Sequence, residues 1–310
     1  MNVFRLEEMS SEALDRLDRD RTVVILTVSP LEEHGPHLPL GVDAFVGRYF
    51  AESVAGRITA DRPGWTAVLV PTLHLGTFTF NATGTIRVRQ RVVRDAVVDY
   101  GRSLARSGFR HILVANGHGG PGHLVALEEA SAIVSRRHGV TMASLTGALA
   151  WQFLRGGFRE RIEQKLSRPL TAAERQAFAD DAHGGLWETS IMLCLRPDLV
   201  DPGFRDLPPA RYPLARRLVP NYPLRDGGRG YVGHPALADP AFATVTSAVL
   251  MDVAMGVVDG LLDGAVRPGQ HRSPFYRIPL FRTNFWPVAA LVAGLGAAGA
   301  AAWRRGRTRS

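Results

Sequence analysis

The chain has 310 residues, 45% hydrophobic and 21% charged, enough apolar material for one large globular body. A single cysteine, Cys194, excludes an internal disulfide framework and a cysteine-built zinc cluster, and points to a reducing compartment. The formal charge of +8 belongs to the end: eight arginines and no acids lie from Arg267 onward, leaving 29 of the 37 basic residues to face 29 acids. A neutral body without a basic stripe argues against nucleic-acid binding.

In chain order, Met1–Glu8 is acidic and amphipathic, with no signal-peptide apolar stretch, which places the catalytic body in the cytoplasm. The apolar runs Val23–Val28, Ala67–Pro71, His111–Ala115 and Val140–Leu145 read as buried strands. Helical patterns at Phe45–Arg57, Val92–Ser107 and Leu124–His138 separate them. Such alternation predicts βαβ units and a mainly parallel sheet covered on both faces, an α/β fold. Residues 155–180 are charged and helical, a surface excursion, and 201–240 are rich in Pro, Gly and Arg, a long loop or site cover. Ala241–Leu262 returns to a helix, closing a catalytic domain over 1–266. A basic linker at 267–284 then leads to Phe285–Trp303, nineteen uncharged residues bracketed by Trp286 and Trp303, with a basic tail at 304–310. The length and aromatic brackets suit a C-terminal membrane helix. Glycines at 294, 296 and 299 and many alanines keep an interfacial or oligomer-packing helix as the alternative.

The chemistry concentrates at strand exits, where open α/β sheets place their ligand crevice. Glu32 and His34 leave the first strand two residues apart, so in an extended loop both point the same way. Asp43 follows a Pro/Gly-rich reversal that can return it toward them. His118 sits among glycines after the 111–115 strand, and His183 precedes Glu188 in a third cluster. Carboxylate and imidazole donors of this kind suit a divalent metal; five with one bridging carboxylate can serve two ions, as amide hydrolysis uses. His37 and Glu33 stand beside the donors as supporting residues, and Trp151 and Trp187 are candidate pocket walls.

Leu31-Glu32-Glu33-His34-Gly35-Pro36-His37-Leu38-Pro39-Leu40-Gly41-Val42-Asp43 resembles the signature of the creatininase (creatinine amidohydrolase) family. Asn116-Gly117-His118-Gly119-Gly120 and His183–Ser190 with Leu195-Arg196-Pro197-Asp198 resemble its second and third motifs. The resemblance implies a three-layer α/β/α sandwich, often hexameric, with a dinuclear zinc, manganese or iron centre that hydrolyses amide C–N bonds. It implies that Glu32 and His118 bind one ion, His34 and Glu188 the other, and Asp43 both. It further implies that His183 shuttles protons to the leaving nitrogen, and that Gly119, Gly120, Gly184 and Gly185 let substrate approach the backbone.

Departures bear on the substrate. Glu33 stands where glutamine is usual, Pro121 where asparagine is common, and Leu186-Trp187 where Glu and Phe are. Gly120 occupies the place of a glutamate ligand in the creatinine-cleaving branch, so the second ion must draw its carboxylate from Glu188. This turns the resemblance from creatinine toward the broader branch, which implies cleavage of a non-peptide or terminal amide C–N bond, as in formamide-cleaving enzymes of flavin and deazaflavin biosynthesis; the alternative is a peptidase that trims a ribosomally made redox-cofactor precursor (mycofactocin-type maturation). Two rival readings remain. Gly117-His118-Gly119-Gly120-Pro121-Gly122 contains the dinucleotide pattern G-x-G-x-x-G, though Val140–Thr146 ends without the acidic residue that pattern expects. A catalytically degenerate, membrane-anchored scaffold is the other.

Overall fold

The computed structural model describes residues 2–217 and 219–291. Five strands, β1 (Val3–Arg5), β2 (Thr22–Val28), β3 (Thr66–Leu73), β4 (His111–Ala115) and β5 (Thr141–Ser144), form one parallel sheet in the order β1-β3-β2-β4-β5. The central strand shows why. All seven residues of β2 are buried, and alternate side chains enter opposite cores. Val23 and Ile25 meet helices α1 (Val42–Asp61) and, from the far end of the chain, Pro240–Leu262; Val24, Leu26 and Val28 meet α2 (Gln90–Arg106) and α3 (Pro121–His138). A strand covered on both faces needs apolar residues on both, which is the unbroken run seen in the sequence. The result is a three-layer α/β/α sandwich.

The four expected strands and three expected helices lie where their patterns place them, with ends shifted by a few residues. Strand β1 was not expected. It pairs only with β3, and three residues with one polar end carry too little alternation to stand out. The charged stretch at 155–180 is more than a surface excursion. Helices α4 (Thr146–Leu154), α5 (Arg159–Leu166) and α6 (Ala172–Asp180), with Phe158 just before α5, bury Phe153, Phe158, Ile162 and Phe178 in a core of their own. That core leans on Phe242 and Val249 of Pro240–Leu262 and forms a cover beside the strand exits. Helix α7 (Leu186–Leu195) follows, then the 201–240 loop, which returns to pair Val232 with His183.

Helix α8 (Pro240–Leu262) is, among the described residues, the one helix long and apolar enough to cross a bilayer. Its apolarity is spent inside the protein, where Met251, Met255, Val258 and Leu261 pack under the sheet. Of the expected tail helix 285–303, residues 285–291 are described and helical; 292–303 and the basic tail 304–310 lie outside the described residues.

Residues 267–284, expected as a linker, run along the body. Ser273 donates to the buried Glu128 of α3 through its backbone N–H (2.6 Å) and its hydroxyl (3.1 Å). Arg282 donates to Glu129 (2.5 Å), and His271 Nε2–H to the Leu145 carbonyl (2.9 Å). Burial pushes the Glu128 carboxyl up to about 7, against the hydrogen bonds from Ser273. A folded-state value above the unfolded one means folding favours the protonated acid. Its contribution is therefore full below about 4.5 and is lost as pH rises through about 7. Glu128→Gln should abolish that pH dependence, worth on the order of 2–3 kcal/mol, in urea titrations at pH 5 and pH 8. An unchanged slope of stability against pH would refute the assignment.

Candidate metal centre

The loop leaving β2 is folded back on itself by a hydrogen bond from the Glu32 N–H to the Leu40 carbonyl (2.9 Å), with Gly35 at φ +84° taking the turn that a side chain resists. That reversal delivers Asp43 into the first turn of α1, as Glu188 lies in the first turn of α7. Both carboxylates thus face the positive ends of helices. The loop leaving β4 is shaped by Asn116, whose amide donates to the His118 carbonyl (2.6 Å) and whose oxygen accepts the His118 N–H (2.9 Å). Beneath it, the buried His123 donates from Nε2 to Asn116 (3.1 Å) and to the Val28 carbonyl (3.3 Å).

Glu32, His34, Asp43, His118, His183 and Glu188 converge in two overlapping triads and a third group. Glu32, Asp43 and His118 offer donor atoms within 4.8 Å of one another, as do His34, Asp43 and Glu188, and Glu32, His34 and His183. Asp43 belongs to both triads. One of its oxygens lies 3.5 Å from His34 Nε2, the other 3.3 Å from His118 Nδ1. Each imidazole is held by its other nitrogen: His34 Nδ1–H donates to the Glu32 carbonyl (2.9 Å) and His118 Nε2–H to the Thr77 carbonyl (3.2 Å). This is how proteins fix the tautomer of a ligand histidine.

The electrostatics test whether a cation fits. Both Asp43 oxygens, Glu32 Oε2 and His34 Nε2 are buried without a hydrogen-bond partner, a costly arrangement for groups of this kind. Burial alone would neutralise His34, but Asp43 and Glu188 outweigh it and push its imidazolium up to about 10. His118 is raised likewise, against its burial, by Glu32 and Asp43. Burial works to raise Asp43, yet His34 and His118 hold it far below the usual carboxylate range. Protons on the imidazoles thus stand in for positive charge, and a divalent ion would satisfy the same orphaned atoms. Glu188, by contrast, is pushed up to about 7 by burial. The donor set is that of a divalent-metal site.

The remaining expected residues have varied places. His183 donates from Nε2 to the Glu33 carbonyl (2.6 Å), and its ring stacks on His34 at 4.1 Å. Burial and the neighbouring His34 lower it to about 4. Glu33 accepts the Gly35 N–H on its carboxylate (2.6 Å), and His37 shares a 2.9 Å hydrogen bond with Thr189 of α7. Gly119 has open space where a Cβ would be, whereas a Cβ on Gly120 would strike the His118 ring and one on Gly184 would meet the His34 carbonyl. Only the first of these glycines leaves room for another molecule. Trp187 lines a cavity beside the triads, anchored by its indole N–H to Thr246 (3.1 Å), while Trp151 packs on Phe275 at 5.0 Å. The cavity, of about 130 Å³, is walled mainly by apolar side chains including Val46, Phe50, Leu149, Phe153 and Met251. The dinucleotide pattern also resolves: a Cβ at Gly117 would lie 3.0 Å from the Gly47 nitrogen, and one at Gly122 would enter the Phe78 ring. These glycines serve packing within the chain.

The supports were not foreseen. Besides Asn116 and His123, Asp181 accepts the N–H groups of Leu186 and Trp187 (both 2.8 Å) at the start of α7, and the Phe80 N–H donates to Glu32 (2.5 Å).

The creatininase family profile, described as creatinine amidohydrolase, matches residues 7–255. The chain belongs to the creatininase family. The mycofactocin precursor peptide peptidase of Mycobacterium ulcerans is 30% identical over 253 residues, covering 77% of this chain and 83% of that protein. The creatinine amidohydrolase of Pseudomonas putida is 30% identical over 200 residues, 62% of this chain and 71% of that one. The solved creatininase structure named "Creatininase Mn" superposes with a TM-score of 0.63 at 24% identity, over 83% of this chain and 98% of that one, and shares the fold. The family match ends before the 267–284 segment begins.

Proposed function

We propose that this creatininase-family chain hydrolyses an amide C–N bond at a dinuclear centre, with Glu32, Asp43 and His118 holding one divalent ion and His34, Asp43 and Glu188 the other. The observation that carries this reading is Asp43: a buried carboxylate with both oxygens unpartnered, shared by two three-donor groups. Zinc, manganese or iron bound there would polarise the substrate carbonyl and lower the pKa of water. The residues do the rest. Gly119 leaves substrate access, and His183, neutral at rest, takes the proton of the attacking water and delivers it to the leaving nitrogen. Convergence of all five donors leaves the scaffold reading without support.

The apolar cavity favours a second, narrower reading, in which the substrate is a short peptide with an aliphatic or aromatic side chain beside the scissile bond. We also carry forward a homo-oligomer, up to a hexamer, from the family resemblance, and a cytoplasmic body held at a membrane by 285–303. The exposed Trp286, Val288 and Leu291 at the start of that segment support the last.

Elemental analysis of the purified chain should find about two divalent ions, and a panel of cyclic amides, formamides and short peptides should then be assayed. Turnover should be highest for peptides with a Leu or Phe next to the cleaved bond, about tenfold or more above Gly analogues. Absence of metal after reconstitution with Zn²⁺, Mn²⁺ or Fe²⁺ would sink the dinuclear reading; equal turnover of the Gly analogues would sink the peptide one.

A further inference from the structure

The segment beyond the family match reaches the site by a route of aromatic rings. Trp151 on the α4 cover meets Phe275 at 5.0 Å, Phe275 meets Phe281 at 5.4 Å, and Phe281 meets Phe78 at 5.9 Å, each edge to face. Contacts of this geometry add favourable energy beyond the area they bury. Phe78 is itself unusual: it holds φ +62°, a conformation costly for a bulky residue, and its ring occupies the space a Cβ at Gly122 would need. Such a backbone persists only where its surroundings over-determine it. The flanking residues of that strained turn touch the site directly. The Thr77 carbonyl accepts from His118 Nε2 (3.2 Å), and the Phe80 N–H donates to Glu32 Oε1 (2.5 Å). Phe281 is fixed in turn by Gln90, whose amide donates to its carbonyl (2.7 Å), and the segment is pinned to α3 by Ser273 on Glu128 and Arg282 on Glu129.

We infer that residues 271–282 form a strap whose Phe281, through Phe78, is a positioning residue for the Glu32–His118 half of the metal centre. The inference rests on the dinuclear reading above. It assigns a role in the site to a segment outside the matched family region, and it makes the attachment point of the tail a structural neighbour of the chemistry.

The test uses the full chain with Phe281→Ala, Phe281→Tyr, Phe78→Ala and the double variant, titrated with Zn²⁺ against a chelator. Amide hydrogen exchange over 77–80 is followed in metal-free protein. Phe281→Ala should weaken one of the two ions about ten- to hundredfold and leave the other near its wild-type affinity, as loss of an outer-sphere partner does. Exchange at 77–80 should accelerate, Phe281→Tyr should restore both readouts, and the two alanine changes should be non-additive because they break one contact. Wild-type affinity and exchange in a folded Phe281→Ala protein would overturn the strap while leaving the dinuclear reading intact. Equal weakening of both ions would also overturn it, since a general loosening has no such selectivity. A wild-type chain that binds none of Zn²⁺, Mn²⁺ or Fe²⁺ overturns both. Should Phe281→Ala fail to fold, Phe281→Leu gives the same comparison with a milder loss of ring contact.

Discussion

Asp43→Asn is expected to empty the site of metal and reduce kcat/KM by roughly a thousandfold or more. The substitution keeps size and shape, so the α1 helix and the 29–41 loop should fold as before. What changes is charge at the one group common to both triads. An amide offers one weak acceptor where the carboxylate offers two anionic ones, and each ion would lose its shared donor. The pH dependence should change with it. In the metal-free wild type, His34 is pushed up to about 10 and His118 is raised, so both carry protons that metal must displace. Wild-type affinity should therefore climb with pH and loading should release protons. Without the Asp43 charge those protons are held less tightly, and what affinity remains should vary less with pH. Elemental analysis with isothermal titration in two buffers of different ionisation enthalpy measures both effects. Two ions retained by Asp43→Asn would remove Asp43 from the centre.

The candidate ligand residues stood out because their chemistry is rare in its setting. A histidine between glycines, or Glu-x-His leaving an apolar strand, has little reason to exist as packing. The strands of the centre were legible for a different reason, since burial on both faces demands the unbroken apolar runs of β2 and β4. The supports were hidden because they work through atoms every residue owns. Thr77 acts by its carbonyl and Phe80 by its N–H, and neither side chain announces this. Asn116 and His123 were visible as residues, but their joint task of shaping the His118 loop depends on β2 and β4 lying side by side. Asp181 is a helix cap separated from its cluster by one turn of chain, and its value depends on where α7 starts. Gly120 shows the opposite error. Its place in the motif suggested room for substrate, whereas the room is taken by the His118 ring. The strap was misjudged for its composition. Pro, Arg and aromatic residues read as a linker, yet Ser273 and Arg282 meet acids on α3 that local sequence cannot pair with them.

His183→Gln should lower kcat by about a hundred- to ten-thousandfold while leaving metal content unchanged. The hydrogen bond from Nε2 to the Glu33 carbonyl fixes the proton on that nitrogen and leaves Nδ1 with its lone pair. Burial, with help from the charge of His34, lowers the ring to about 4 in the metal-free protein, and a divalent ion beside His34 would act in the same direction, so at neutral pH it is a proton acceptor first. It can give the proton up only after receiving one, which orders the steps: uptake from water, then delivery to nitrogen. The sign of the pH effect follows. As pH falls toward 4, His183 becomes protonated in advance and can no longer accept, so wild-type kcat should fall on the acid side. Glutamine has no such titration, and the residual rate of His183→Gln should lack that limb. The structure also places His183 within ligand distance of Glu32 and His34, so a different outcome has a definite meaning. Loss of one ion in His183→Gln would make this histidine a ligand, and the proton would then have to travel by Glu188, whose carboxyl burial raises to about 7. Metal content and the acid limb of the pH profile, measured on the same preparation, separate the two roles.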